Sequence, residues 1–268
     1  MITGEFDFDM HQAVLGALPQ YGPAYPRTNE PLQMELGMAA PDGKRVLTVA
    51  ASGDQPMMYA ACGAKHVDTF DLTYNARAVM DLKCAAVREM DFGRYRHLLD
   101  CLDYICEWPD HRHQFQQIID TMSTDTRSII SKVPVGNWCT GDGMGTRFPR
   151  NEYSYNLMRN AIKKPFNFIW ADLANLHNFL EPGYDIINLS NIFGHYTNQG
   201  KDETHIAGTL NNLWPFLNDG GTIICVTGHK SESKLQRALD MLSVPAQVRY
   251  KSATPSIWKH IVSITKVK

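Results

Sequence analysis

Two apolar runs, each followed by polar residues, lie in VLTVAASGDQPMMYAACGAKHVDTFDL, residues 46–72. The first run, VLTVAA, is continuous rather than alternating, which is typical of a strand buried in a parallel sheet. The small turn Ser52-Gly53-Asp54-Gln55 follows it. PMMYAACGA is then predicted to be a helix, and Pro56 does not argue against this because proline is tolerated in the first turn of a helix. HVDTFDL is predicted to be the next strand and carries Asp71 near its end. This order predicts an α/β core.

The same alternation returns in the second half of the chain. The segments FNFIWADL, YDIINLSNI, TIICVTG, QVRYK and IVSITKV are predicted to be strands, with helices between several of them. Residues about 91–163 are predicted to be a helical insertion, and residues 1–43, with five prolines, an N-terminal arm. We therefore expect one domain over residues 1–268, built on a doubly wound, mostly parallel seven-stranded sheet with helices on both faces.

The composition is that of an ordinary globular chain. Hydrophobic residues make up 44% and charged residues 20%, and the formal net charge is -2. Without a strong basic field, general binding to nucleic acid is not expected. No apolar stretch is long enough to span a bilayer, and the acidic start MITGEFDFDM does not resemble a signal peptide. We expect a cytoplasmic protein without integral membrane contact, and the oligomeric state stays open.

Cysteine and histidine spacing gives no metal motif. The six cysteines are scattered without a C-x-x-C pair, which favours free thiols in a reducing compartment. The local sequence Asp110-His111-Arg112-His113 is interpreted as a solvated helix start, so no metal is predicted. The glycine-bearing loop at residues 136–147 fits a mobile cover over a site and a plain connector equally well.

Polar turns after four of the predicted strands indicate a binding site. In a doubly wound sheet, ligands bind beyond the carboxyl ends of the strands. The small residues at 51–55 let a ligand approach the backbone, and a carboxylate at Asp71 can accept both hydroxyls of a ribose. Asp172 and Leu173 are candidates for the adenine end. Residues 188–191 follow the fourth strand and are expected to face the substrate.

The glycine fingerprint of dinucleotide sites, G-x-G-x-x-G, is absent. A pyrophosphate needs that turn and the helix N-terminus behind it, so its absence argues against a dinucleotide. The four turns together favour a ligand that has a ribose and an adenine but no phosphate. A nicotinamide-dependent oxidoreductase and a non-catalytic nucleotide-binding module remain as alternatives.

The chain resembles the class I S-adenosylmethionine-dependent transferases. More narrowly, it is similar to the aminocarboxypropyltransferases that begin betaine-lipid synthesis and to their uncharacterised relatives. The resemblance is carried by Ser52-Gly53-Asp54, Asp71-Leu72-Thr73, the sequence Leu82-Lys83-Cys84-Ala85-Ala86 and the run from Asp185 to Ile192. It covers residues 44–92 and about 165–227. It implies S-adenosylmethionine as cofactor and transfer of an aminocarboxypropyl group, with methyl transfer as the alternative.

Candidate site residues follow from that chemistry. Transfer from a sulfonium is an in-line displacement, so alignment supplies most of the rate. Tyr74, Trp170 and Tyr196 are candidate aromatic neighbours of the sulfonium, and Arg27 is a candidate clamp for the cofactor carboxylate. A small-molecule acceptor must lose a proton. His195 and Tyr196 are the first candidates for the base that takes it, and His177 is the second choice. The predicted catalytic residues are Asn191, His195 and Tyr196. The predicted cofactor-binding residues are Ser52, Gly53, Asp54, Gln55, Asp71, Leu72, Asp172, Leu173, Asn188 and Ser190.

Overall fold

The computed structural model describes residue 28 and residues 31–103, 112–132, 149–252 and 260–267. The loop at residues 136–147 and Arg27 lie outside these described residues. Most of the predicted N-terminal arm also lies outside them.

Seven strands and ten α-helices are found in the described part of the chain. The strands are β1 Arg45–Val49, β2 His66–Asp71, β3 Asn167–Trp170, β4 Tyr184–Asn188, β5 Leu217–Thr227, β6 Ala246–Ser252 and β7 His260–Lys266. The helices are α1 Leu32–Ala39, α2 Asp54–Ala61, α3 Tyr74–Glu89, α4 Phe92–Asp103, α5 Gln116–Asp120, α6 Thr124–Lys132, α7 Glu152–Ala161, α8 Ile192–Asn198, α9 Glu203–Leu213 and α10 His229–Asp240. Short 3-10 turns lie at Arg112–Phe115, Leu176–Phe179 and Trp214–Phe216.

The strands form one seven-stranded sheet in the order β3-β2-β1-β4-β5-β7-β6. β1 pairs in parallel with both β2 and β4, and β4 pairs in parallel with β5. β7 runs antiparallel to both β5 and β6. The chain therefore has the α/β fold that the sequence predicts, a doubly wound and mostly parallel seven-stranded sheet.

Several strand boundaries differ from the predicted ones, and two of these differences have a visible local cause. β3 ends at Trp170, earlier than predicted, because Asp172 turns the chain by accepting the Ala174 N–H through Oδ1 at 3.1 Å. β5 begins at Leu217, five residues before the predicted strand TIICVTG, so residues 218–221 lie inside the strand. The pairing register with β4 shifts there, and Gly220 has φ 77°, which marks a bulge rather than a loop.

Contacts divide the chain into two compact units. Of the described residues, the first unit holds residues 28, 50–61, 71–103, 112–132 and 149–170. The second unit holds residues 31–49, 62–70, 171–252 and 260–267. The single domain expected from the sequence stays a prediction. In the first unit, α3 lies in an apolar cluster with helices of the predicted insertion, and Val79 and Leu98 are fully buried in it. The hydroxyl of Tyr155 on α7 donates to the carbonyl of Met90 at 2.7 Å.

The second unit contains the buried middle of the sheet. Leu47, Ile187, Ile224 and Ile264, from four neighbouring strands, are each fully buried. Continuous burial on both faces explains why these strands are apolar without alternation.

Three further properties bear on the predicted chemistry. Within the described residues, no helix has the length and apolar character needed to cross a membrane. The described part of the chain contains no group of three or more histidine, cysteine or acidic side chains arranged to hold a metal ion. The four described cysteines, at positions 62, 84, 101 and 225, are free thiols; the other two lie outside the described residues.

Candidate functional site

The turn after β1, residues 50–53, is tight and packs directly against α3. The Gly53 N–H donates to the Ala50 carbonyl at 2.7 Å, and Ala51 and Gly53 have φ 41° and 80°. A Cβ at position 53 would lie 3.0 Å from the Cα of Met80 on α3. Glycine is therefore required there twice, for its left-handed conformation and for the close approach of the helix backbone.

Asp71, the last residue of β2, is connected to that turn through its carboxylate. Oδ2 accepts the Ala51 N–H at 2.9 Å, and Oδ1 accepts the Thr73 N–H at 3.0 Å. Burial raises the pKa of Asp71 from 3.8 to about 6, against the lowering effect of its backbone N–H donors. The carboxylate is thus held in a fixed orientation beside the turn, with lone pairs left to accept further donors.

The other polar residues of the turn are buried and bond to one another. Ser52, Asp54 and Gln55 each keep 1% of their surface exposed. Asp54 Oδ2 accepts from the Ser52 hydroxyl at 3.1 Å and from the Thr28 N–H at 2.8 Å. The Gln55 amide donates to the Thr28 hydroxyl at 3.4 Å. These side chains hold the turn in shape and attach residue 28 to it.

An aromatic cluster follows Asp71 in the first unit. The Trp170 indole donates to the Leu72 carbonyl at 2.8 Å. The Tyr74 ring lies edge-on to Trp170, with centroids 5.7 Å apart, and Arg77 stacks on the Tyr74 ring at 4.9 Å. Two of the three predicted aromatic candidates, Tyr74 and Trp170, therefore lie together next to Leu72.

In the second unit, the carboxylate of Glu35 holds the end of β4, and Glu35 is not among the residues predicted from the sequence. Asn188 is fully buried, and its amide donates to Glu35 on α1 at 2.9 Å. The Asn188 side-chain oxygen accepts the Ser190 N–H at 2.8 Å, and Ser190 has φ 55°. A glutamate in the apolar helix LQMELGMA was the available signal, because a buried carboxylate must find a donor.

The helix α8 begins directly after this turn and carries the predicted catalytic residues. Asn191 precedes its first residue, and the Asn191 carbonyl accepts the Gly194 N–H at 2.8 Å. His195 is partly buried, and desolvation lowers its pKa below 6.5, so its imidazole is neutral at pH 7. Tyr196 is buried, with the Lys201 ammonium 3.7 Å from its ring centroid. Of these side chains, His195 is the one best prepared to take a proton.

The predicted adenine-binding pair follows β3 in the second unit. Asp172 is partly buried and uses Oδ1 for the turn described above, while Leu173 is buried. His177 lies in the 3-10 turn that follows. The predicted residues therefore form two groups. Those in the first unit are Ser52, Gly53, Asp54, Gln55, Asp71 and Leu72, and those in the second are Asp172, Leu173, Asn188, Ser190, Asn191, His195 and Tyr196.

No protein-family model and no curated protein matches the chain. Solved structures to which the chain is similar include an rRNA methylase from Streptococcus thermophilus, with 10% sequence identity and a TM-score of 0.46, over 89% of this chain and 98% of that one. Magnesium protoporphyrin IX methyltransferase from Synechocystis PCC 6803 with bound SAM has 11% sequence identity and a TM-score of 0.44, over 98% of this chain and 86% of that one. N-methyltransferase NodS from Bradyrhizobium japonicum WM9 has 9% sequence identity and a TM-score of 0.45, over 88% of this chain and 84% of that one. At such low scores, function must be argued from this chain's own residues.

Proposed function

We propose that this chain is an S-adenosylmethionine-dependent group transferase with a small-molecule acceptor. The observation that carries the proposal is the Asp71 carboxylate at the end of β2, held 2.9 Å from the backbone N–H of Ala51 in the β1 turn. A ribose diol donates two hydrogen bonds that a carboxylate accepts side by side. A turn built of small residues beside it leaves room for the rest of a nucleoside.

The chemistry around Asp71 supports a sulfonium nucleoside rather than a nucleotide. The chain has no G-x-G-x-x-G turn to cradle a pyrophosphate. Aromatic faces stabilise a neighbouring cation, and Tyr74 and Trp170 follow Asp71 in the first unit. These features favour S-adenosylmethionine over NAD or ATP. The missing turn also argues against a nicotinamide oxidoreductase. The polar residues that follow β4, namely Asn188, Ser190, Asn191 and His195, favour an enzyme over a non-catalytic nucleotide-binding module.

Two different carbons of the cofactor can be transferred. The resemblance over residues 44–92 and about 165–227 favours the aminocarboxypropyl group. Methyl transfer is the second candidate, because it is the commoner use of a seven-stranded sheet of this kind. In either case the acceptor attacks the carbon in line with the departing sulfur, so positioning supplies most of the rate.

We assign the base of this reaction to His195. Its pKa is lowered by burial, so it is neutral and able to accept a proton at pH 7. Asn191 lies at the start of the same helix and is proposed to orient the acceptor. Tyr196 is buried against Phe193, with ring centroids 6.0 Å apart, which suits a supporting role beside His195.

Calorimetry with the purified protein tests the cofactor. We expect S-adenosylmethionine to bind with micromolar affinity, about 8 kcal/mol, and NAD and ATP to give no comparable heat. Asp71→Ala removes charge-assisted bonds to the ribose, and the expected loss is about 2–3 kcal/mol. Asp219→Ala is the matched control, since Asp219 is exposed on β5. No binding by the wild type, or equal binding by Asp71→Ala, would contradict the assignment.

The leaving group identifies the transferred carbon without knowledge of the acceptor. The protein is incubated with S-adenosylmethionine and a small-molecule fraction of cell extract, and in parallel with total RNA. Methylthioadenosine in the first incubation identifies aminocarboxypropyl transfer, and S-adenosylhomocysteine identifies methyl transfer. Product formation only with RNA would overturn the small-molecule acceptor. That acceptor is favoured by the net charge of -2, which gives no attraction to phosphates.

A further inference from the structure

Lys83 on α3 is a fully buried cation with no role in the reaction described above. Its side chain is 0% exposed. The ammonium donates to the Ser52 carbonyl at 2.9 Å and forms an ion pair with the Asp54 carboxylate, which is itself almost fully buried. A buried lysine is costly unless it is paired and hydrogen-bonded, and here both conditions are met inside the first unit.

The contacts of Lys83 complete a set that fixes the backbone of the β1 turn. The Ala51 N–H donates to Asp71, and the Gly53 N–H donates to the Ala50 carbonyl. The carbonyl of Ser52 lies between these two groups and is held by the Lys83 ammonium. Each of the three consecutive residues of the turn thus has a backbone polar group held in place, and only the Ser52 contact comes from a side chain of α3.

The same helix also contacts the turn at Gly53. Met80 and Lys83 are three residues apart and therefore share a face of α3. The Met80 backbone leaves no room for a side chain at position 53, and Lys83 reaches the carbonyl one residue earlier. The turn is consequently shaped by α3, which begins three residues after Asp71.

We propose that Lys83 is a positioning residue for the cofactor, a role that rests on the function proposed above. Its ammonium holds the Ser52 carbonyl and neutralises the Asp54 carboxylate, so the turn keeps the shape in which its backbone meets the nucleoside bound by Asp71. Lys83 does not touch the cofactor itself. The charge balance matters as well, because an unpaired Asp54 would repel the carboxylate of S-adenosylmethionine.

A comparison of single and double variants separates positioning from stability. Lys83→Met removes the ammonium and leaves Asp54 buried without its cation, so both thermal stability and cofactor affinity should fall. The double variant Asp54→Asn with Lys83→Met removes both charges. Neutral replacement of a buried ion pair is often tolerated, so its melting temperature should return close to that of the wild type. Its dissociation constant for S-adenosylmethionine should stay about tenfold higher, because the Ser52 carbonyl has lost its donor. Asp54→Asn alone keeps the Lys83 ammonium on the Ser52 carbonyl and should bind the cofactor more tightly than the double variant. Lys163→Met, on the exposed surface, is the matched control for the loss of a lysine charge.

The outcomes are distinct. Recovery of stability without recovery of affinity supports the proposal. Recovery of both makes Lys83 a purely structural residue and overturns it. If the first double variant does not fold, Asp54→Leu with Lys83→Leu asks the same question with an apolar pair, and failure of both to fold also overturns it. If the wild type binds no S-adenosylmethionine, the proposed function fails first and this inference fails with it.

Discussion

A single side chain, Asp71, combines the binding role proposed for it with a cost in stability. Its carboxylate receives two backbone N–H groups, yet burial raises its pKa to about 6. The folded protein therefore holds this group in an environment that disfavours the charge it needs for accepting ribose hydroxyls. Such a conflict between local stability and charge is typical of functional positions.

The raised pKa of Asp71 predicts how cofactor binding depends on pH. Only the ionised carboxylate accepts from both hydroxyls, so the dissociation constant should rise by up to about tenfold per pH unit as the pH falls below about 6. Calorimetry between pH 7.5 and 5 measures this, and Asp71→Asn should flatten the curve. A constant affinity down to pH 5 would contradict the assignment.

The same pKa predicts the opposite dependence for folding stability. Because the pKa of folded Asp71 lies above the ordinary 3.8, its contribution to stability is fully present below pH 3.8 and is lost as the pH rises through about 6. Urea unfolding of wild type and Asp71→Asn at pH 4.5 and 7 isolates this contribution, since their difference should change in that direction. A difference that does not change with pH would show that burial does not perturb this group.

His195 is the second residue for which we propose a role in the reaction. Its imidazole has a pKa below 6.5 because it is desolvated. We expect His195→Ala to lower kcat by about 100-fold or more while cofactor binding changes little. The rate of the wild type should fall only as the pH is lowered below 6.5, where His195 becomes protonated. The rate of the variant should not show this fall. An unchanged kcat in His195→Ala would assign the proton transfer to another group.

At the scale of elements, helix α3 organises the first unit. Thr73 caps its N-terminus, with the hydroxyl accepting the Ala76 N–H at 3.3 Å. The helix then supplies Met80 and Lys83 to the β1 turn and an apolar face to the core cluster. One helix thus starts close to Asp71, the carboxylate proposed to bind the ribose, and supports the turn next to it, so the position of the helix should affect both.

Removal of two helix caps tests this dependence. Thr73→Ala and Asn151→Ala each remove an N-cap, of α3 and α7 respectively, and each should lower the free energy of unfolding by about 1 kcal/mol. Only Thr73→Ala should also weaken cofactor binding, by a few-fold, because α3 begins three residues after Asp71. Urea unfolding and calorimetry give the two quantities. Equal affinities in the two variants would show that α3 does not transmit changes to the site.

At the scale of the whole molecule, the amino ends of the strands have a different chemistry from their carboxyl ends. In the second unit, Asp68 on β2 accepts from the Tyr184 hydroxyl at 2.9 Å and from Arg45 at 3.2 Å. The Arg45 guanidinium also lies 4.2 Å from the Tyr184 ring centroid. These contacts join β1, β2 and β4 where the strands begin, so we interpret the network as stabilising rather than functional.

This interpretation makes Tyr184→Phe a stability variant. The substitution removes a buried hydroxyl and its bond to Asp68, so the free energy of unfolding should fall by about 1–2 kcal/mol, with unchanged cofactor affinity. Tyr250→Phe is the matched control, because Tyr250 is 43% exposed and should change the stability little. A weakened affinity in Tyr184→Phe would show that this end of the sheet affects binding.

The sequence by itself determined the features that depend on neighbouring residues. A continuous apolar run marked β1, because a strand buried on both faces of a parallel sheet does not alternate between apolar and polar positions. The small turn at Gly53 and the carboxylate at Asp71 were visible because each follows a run directly. Strand ends were less exact, since the end of β3 depends on a side-chain bond from Asp172 that no periodicity reveals.

Only the tertiary structure decided which distant residues support the candidate site. Glu35 and Asn188 are 153 positions apart, and Asp54 and Lys83 are 29 apart. The sequence shows a glutamate in an apolar helix and a lysine in another, and both patterns also fit solvated positions. An unpaired charge is unstable in the protein interior because it has lost its hydration, so it needs a partner. Which residue becomes that partner depends on how whole helices and strands pack, because the packing determines which group lies close enough to bond.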